Sequence, residues 1–361
     1  MIDKLIPEKV KNLEAYSPNL TPVPVRLDAN ESPFTPSKAV LDEMAAAVYS
    51  IDFNRYPDPY ASELTEAFSE FFGLLTQNVV AGNGSDELIS LIVSGLLNAG
   101  DTVTVAMPDF SMYSFYSYLA GANAVQFEKT DLFEIDFTKL LASVNESGSK
   151  MVLFSNPCNP TGWCAKREDI VSFIERANAI VVVDEAYMEF APDSESVMDL
   201  VNKYDNLIVL KTMSKAFGSA ALRLGFMIAC EELCEAVRKI KSPYNVNTVS
   251  QVFGKIVLSH ADEIAAKTDE IKANLAFLKS ELGKIKTPRI KLIYGTSANF
   301  VFMEIESPES ASVIKNVLMQ KGVAIRCMGA RLRITAGTRE ECEIFLAKFK
   351  EVLDEYRYGI A

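Results

Sequence analysis

Leu210-Lys-Thr-Met-Ser-Lys-Ala-Phe-Gly-Ser-Ala-Ala-Leu-Arg-Leu-Gly-Phe226 decides how the rest of the chain is read. It leaves an apolar run, Leu207-Ile-Val-Leu210, with the texture of a strand buried on both faces of a parallel sheet. Hydroxyls follow at Thr212 and Ser214, then a lysine at 215 and an arginine at 223. Open α/β sheets gather their ligands at the carboxyl ends of their strands, where this lysine stands. An amine partly desolvated there sheds its proton more readily and can attack a carbonyl. Thr212, Ser214 and Arg223 supply hydroxyl donors and a forked cation suited to a phosphate. An amine for a carbonyl beside a phosphate site is what pyridoxal 5'-phosphate (PLP) requires. The stretch alone also fits a strand followed by a solvated polar loop, and the choice needs the rest of the chain.

Composition narrows the field. The chain has 361 residues, 49% hydrophobic and 23% charged, room for a large domain with a smaller one attached. A net charge of −12 argues against nucleic acid or an anionic membrane as partner. Met1-Ile-Asp-Lys-Leu-Ile-Pro-Glu-Lys9 has no apolar core of the secretory kind, and the longest nearly apolar stretch, residues 88–97, is too short to span a bilayer. The expectation is a cytoplasmic protein. The six cysteines form no Cys-x-x-Cys pair and read as reduced. One histidine, His260, leaves no multi-histidine metal site and little room for a Ser-His-Asp triad. Proton transfer must then fall to lysine, tyrosine or carboxylates.

Residues 1–37 carry five prolines between 18 and 36 and read as an irregular surface arm. Helices are predicted over 37–49 and 62–72, separated by the rigid turn Arg55-Tyr-Pro-Asp-Pro59. From Asn78 to Lys241, seven apolar runs alternate with helical stretches, which means a mostly parallel, helix-covered seven-stranded sheet. Beyond Ser242 come a long helical region over 248–282, two strands at 298–305 and 332–335, and helices over 309–321 and 339–356. The expected domains are an N-terminal arm and helix (1–45) joining the small domain, a large α/β domain (46–245) and a small α+β domain (246–361).

Three further motifs fall at strand ends. Gly82-Asn-Gly-Ser-Asp-Glu87 opens a helix whose first amides point at whatever binds there. Ser155-Asn-Pro-Cys-Asn-Pro-Thr-Gly162 places Asn159 on a stiff double turn. Val183-Asp-Glu-Ala-Tyr187 sets an aspartate where it can face a pyridine nitrogen. Each alone also reads as ordinary turn chemistry or an acidic strand end.

Together, in this order and topology, they resemble the fold-type I PLP enzymes from end to end. The resemblance sharpens to the histidinol-phosphate aminotransferases through Leu27-Asp-Ala-Asn-Glu-Ser-Pro33, Arg55-Tyr-Pro-Asp-Pro59, Pro243-Tyr-Asn-Val-Asn247 and Leu332-Arg-Ile-Thr-Ala-Gly-Thr338. It implies that Lys215 binds the cofactor as a Schiff base and moves the proton, that Asp184 pairs with the pyridinium, and that Asn159 and Tyr187 hold the ring oxygen. Phe110 matches the aromatic that stacks on the ring. Gly84, Ser85, Asp86, Thr212, Ser214 and Arg223 match the phosphate cup, and Tyr56 the tyrosine that reaches the phosphate in the partner of a homodimer. Arg333 matches the arginine that takes the substrate's anionic group; Tyr16 and Arg326 match substrate-side positions less closely. The implied reaction exchanges an amino group between L-histidinol phosphate and 2-oxoglutarate.

Two departures bear on that expectation. Asp109 stands where the family usually has threonine, and Ala220-Ala221 replaces Ala-Gly, which is expected to crowd the turn near the phosphate. An aromatic amino acid aminotransferase and a threonine-phosphate decarboxylase share most of the motifs. Ser85-Asp86 and Ser214-Lys215 favour the aminotransferase over the decarboxylase. A ligand sensor on the same fold would carry a helix-turn-helix extension, which the sequence lacks.

Overall fold

The computed structural model describes residues 2–15 and 21–357. Seven strands build the larger sheet: β2 (Val79–Asn83), β3 (Thr102–Met107), β4 (Asn123–Glu128), β5 (Met151–Ser155), β6 (Ile180–Asp184), β7 (Leu207–Thr212) and β8 (Leu224–Ala229). They lie in the order β2-β8-β7-β6-β5-β3-β4. Strands β4, β3, β5, β6 and β7 pair in parallel, while β8 runs antiparallel to both its neighbours. The central strands are buried along their length: β5 and β7 expose no residue, as the apolar runs 151–154 and 207–210 require, and the buried Lys211 of β7 is paired with Glu189 and Glu185. Helices Ser85–Leu96, Met112–Ala120, Phe137–Ser147 and Arg167–Ile174 fill connections between them and Glu231–Ile240 follows β8, as the alternating pattern predicts.

The second sheet has five strands, β1 (Val25–Leu27), β9 (Ile290–Ile293), β10 (Phe300–Ile305), β11 (Val323–Met328) and β12 (Arg331–Thr335), in the order β1-β11-β12-β10-β9. Only β10 and β12 were legible in the sequence. The expected irregular arm up to residue 37 is corrected here, because β1 pairs in parallel with β11 over Val25–Leu27. A three-residue strand among prolines has no periodicity to read; its partner lies far along the chain. Strand β9 is a half-exposed edge, and β11 turns from buried to exposed along its length. Helices Thr248–Ser259, Ala261–Lys284, Pro308–Gln320 and Arg339–Arg357 complete this part, with Lys38–Val48 packed against the first of them. Among the described residues, no helix is long and apolar enough to cross a membrane.

Candidate active site

The site forms along the carboxyl edge of the seven-stranded sheet. Asp184 ends β6 and is in register with Ser155, which ends β5. Thr212 ends β7 opposite Gly225 of β8, and Asn83 ends β2 opposite Leu224. Because β8 is antiparallel, its entry residue Arg223 arrives at the edge that the other strands leave. Its backbone turns there in the left-handed region, at φ 52°.

Asp184 is 5% exposed. Its Oδ2 accepts from the Tyr113 hydroxyl at 2.8 Å and its Oδ1 from the Ala186 amide at 3.1 Å. Burial pushes the carboxyl up to about 6; the Tyr113 and Ala186 hydrogen bonds pull it down, and the charges of Asp109 and Asp86 add to the rise. A cationic ring nitrogen would supply the opposite charge that this carboxylate lacks. Tyr113 is fully buried, and its own ionisation is pushed well up by desolvation and by Asp184. Phe110, half-buried, meets Tyr113 edge to face at 5.7 Å.

The phosphate-type residues form a cradle. No side chain caps the helix Ser85–Leu96, so its first amides stay open for an anion. Gly84 precedes it at φ 82°, and a Cβ there would lie 2.6 Å from Arg223 Nη2. Glycine thus lets the guanidinium close over the helix N-terminus. Gly225 is equally required: its Cβ would stand 2.3 Å from the Ser85 amide. Thr212 Oγ1 receives the Ser214 amide and donates to Ser214 Oγ, both at 3.1 Å. Asp86 Oδ1 is buried without a hydrogen-bond partner. Desolvation raises the Asp86 carboxyl, against the pull of Arg223 and Lys215.

Opposite lies the five-stranded sheet. Lys215 Nζ donates to the Ala29 carbonyl at 3.1 Å and lies 5.8 Å from the centre of the Tyr187 ring. The Tyr187 hydroxyl accepts from Asn30 Nδ2 at 3.0 Å, which leaves its own proton to donate forward. Arg333, 9% exposed in mid-strand, donates to Asn159 Oδ1 and, at 2.8 Å, to the Asp28 carbonyl. Arg326 faces Arg333 across the β11–β12 pair, so the two side chains leave the same face of the sheet.

Tyr56 is not brought in. It is 80% exposed and stacks on Tyr244 with ring centres 4.6 Å apart. Tyr16 lies outside the described residues. The expected crowding by Ala220-Ala221 is corrected: Ala221 is exposed and its backbone avoids the left-handed region. Sequence reasoning missed Tyr113 and Asn30, which hold Asp184 and Tyr187. The signal for Tyr113 was its place one helical turn beyond Phe110, and for Asn30 its place inside Leu27-Asp-Ala-Asn-Glu-Ser-Pro33.

These donors fit PLP: an amine for the aldehyde, a buried carboxylate for the ring nitrogen, and a glycine-opened cradle with a guanidinium for the phosphate. Among the described residues, no group of three His, Cys, Asp or Glu could hold a metal.

Comparison with known proteins agrees. The model of aminotransferase class I and II matches residues 22–349. The chain is 39% identical to histidinol-phosphate aminotransferase of Clostridium novyi, covering 94% of this chain and 95% of that one. It is 36% identical to the enzyme of the same name from a Thermoanaerobacter species, over 98% of this chain and all of the other. Among solved structures, histidinol-phosphate aminotransferase of Sinorhizobium meliloti, in complex with PLP, superposes with a TM-score of 0.88 at 25% identity, covering 97% of this chain and 98% of that one. L-threonine-O-3-phosphate decarboxylase of Porphyromonas gingivalis reaches 0.79 at 18% identity, over 91% and 99% of the two chains, and shares the fold. The chain therefore belongs to the class I and II aminotransferases, in the branch of the histidinol-phosphate aminotransferases.

Proposed function

We propose that this protein is a PLP-dependent aminotransferase that exchanges the amino group between L-histidinol phosphate and 2-oxoglutarate. The observation that carries this reading is that the Lys215 amine and the buried Asp184 carboxylate, at the carboxyl edge of the seven-stranded sheet, share a site with the Arg333 guanidinium of the five-stranded sheet, which reaches Asn159 beyond the end of β5. When bound, PLP supplies an electron sink that weakens the substrate's Cα–H bond. Lys215 Nζ holds the cofactor and is the base that takes and returns the proton at that carbon. Asp184, fixed by Tyr113, holds the proton on the ring nitrogen. Tyr187 donates its hydroxyl proton toward the ring oxygen because Asn30 occupies its lone pair. Phe110 supplies the ring face, and Gly84, Ser85, Asp86, Thr212, Ser214 and Arg223 the phosphate cup. Arg333 and Arg326, side by side, suit anionic groups on both substrates, so one pair can serve each half-reaction.

The amino donor follows the relatives' name over their full length. Donor profiling decides it. Histidinol phosphate should exceed phenylalanine in kcat/KM, with no decarboxylation of threonine phosphate. Turnover of phenylalanine at an equal or higher kcat/KM would transfer the assignment to an aromatic aminotransferase.

We also propose a homodimer with shared sites, acting in the cytoplasm, whose free cysteines suit a reducing compartment. The boundaries 46–245 for the cofactor domain and 1–45 with 246–361 for the other belong to the same reading. Support for the dimer comes from the exposed aromatics Tyr49, Phe53, Tyr56 and Tyr60, of which Tyr56 stacks on the part-exposed Tyr244. In a mixed dimer of Lys215→Ala and Tyr56→Phe, one site carries both lesions and the other neither. Mixing should therefore recreate sites of wild-type PLP affinity. Only weak sites would mean that Tyr56 acts within its own subunit.

A further inference from the structure

A buried ion pair lies behind the cofactor-facing loops, at the position where the sequence departs from the family's threonine. Lys129 and Asp109 have fully buried side chains, with Nζ 2.9 Å from Oδ2. Lys129 uses all three of its ammonium protons: on Asp109, on the Pro108 carbonyl at 2.9 Å and on Cys158 Sγ at 3.1 Å. Asp109 is equally engaged. Its Oδ1 accepts from the Phe110 amide at 2.8 Å and from the Ser155 hydroxyl. Its Oδ2 accepts from Lys129 and, at 3.1 Å, from the Ser155 amide. The Ser155 hydroxyl in turn accepts from the Asn159 amide at 3.1 Å, and Asn159 Oδ1 accepts from Arg333.

The pair thus ties the ends of β3, β4 and β5 to two loops that face the ligand. One loop presents Phe110; the other presents Asn159, the contact of Arg333. We propose that Lys129 is a positioning residue: with Asp109 it forms a neutral strut that sets Phe110 and Asn159 in register for the cofactor ring. Without Lys129 the Asp109 carboxylate would be a buried, uncompensated charge. It would relax by protonating or by drawing water, and either weakens the charge-assisted amide contacts that hold the two loops. The bare charge would also act on Asp184, whose carboxyl Asp109 already raises. The inference rests on the PLP reading above.

The test is a double-mutant cycle of Lys129→Met, Asp109→Thr and the two combined. The readouts are the PLP dissociation constant, the visible circular dichroism of the bound cofactor and the melting of the cofactor-free proteins. Lys129→Met should weaken PLP at least tenfold and alter the dichroism, which senses how the ring sits against Phe110. Adding Asp109→Thr removes the uncompensated charge and should restore most of the affinity. A strut that serves folding alone would lower melting and leave the affinity and dichroism of the folded protein unchanged; that result overturns the proposal. If Lys129→Met does not fold, the double variant decides. Folding with near wild-type affinity supports the strut; failure to fold, or binding no tighter than a folded single variant, overturns it. A wild-type protein that binds no PLP would instead sink the functional reading, and the strut proposal that rests on it would fall with it.

Discussion

The two sheets contribute to the site in different ways. The seven-stranded sheet offers strand ends: Asp184, Thr212 and the loop to Lys215 leave a fully buried scaffold just where their backbones run out of partners. The five-stranded sheet offers Arg333 from the middle of β12, paired on both sides by β10 and β11. A strand end holds a side chain rigidly while leaving its polar atoms for a ligand, which suits groups that act on the reacting bonds. A mid-strand arginine is already hydrogen-bonded to Asn159 and Asp28, which suits recognition. The first sheet should therefore govern kcat and the second KM.

The widest separation is expected at Lys215. Lys215→Ala should abolish transamination and the cofactor's visible absorption shift while the protein still folds, since the lysine gives up a single hydrogen bond, to the Ala29 carbonyl. Turnover near the wild-type rate would remove Lys215 from the mechanism.

Asp184→Asn comes next. A charge-assisted hydrogen bond is worth about 1.5–3 kcal/mol, so losing it in the transition state should lower kcat by roughly one to two decades. Stability should move the other way. The folded carboxyl titrates near 6, above its ordinary value of 3.8, so between those pH values the native state holds a proton that the unfolded chain has lost. Stability from this group is present below pH 4 and falls as pH rises through 6. The cofactor-free Asn variant should melt higher than wild type at pH 8, by up to about 3 kcal/mol of stability, with the gap closing toward pH 4. An Asn variant that melts lower at pH 8 would show that the buried charge is compensated in the free protein.

Arg333→Lys should have the smallest effect. An ammonium cannot serve Asn159, Asp28 and a substrate anion as a fork does, so KM should rise about tenfold with kcat changed less. A fall in kcat with KM intact would erase the division between the sheets.

The larger sheet was readable because its inner strands are runs of buried apolar residues bounded by turn signals, as at Ile180-Val-Val-Val183; only the edge strand β4 is largely exposed. The smaller sheet was half hidden. Val25-Arg-Leu27 becomes a strand only because β11, almost three hundred residues later, offers an edge. Lys215, Asp184, Asn159, Arg223 and Arg333 could be named from strand ends and motifs. Their supports could not: Tyr113, Asn30, Ser155 and Lys129 act through hydrogen bonds to residues distant in the chain, Ser155 through Asp109.

By itself the sequence determined the kinds of groups at the site and the order of the strands that carry them, because strand pattern and turn chemistry are local. Tertiary structure alone decided that Arg223 returns to the same edge on an antiparallel β8. It alone decided that Tyr56 faces outward and that Asp109 is matched by a buried Lys129. These outcomes depend on which side chains lose water together, and that is settled only when distant segments pack.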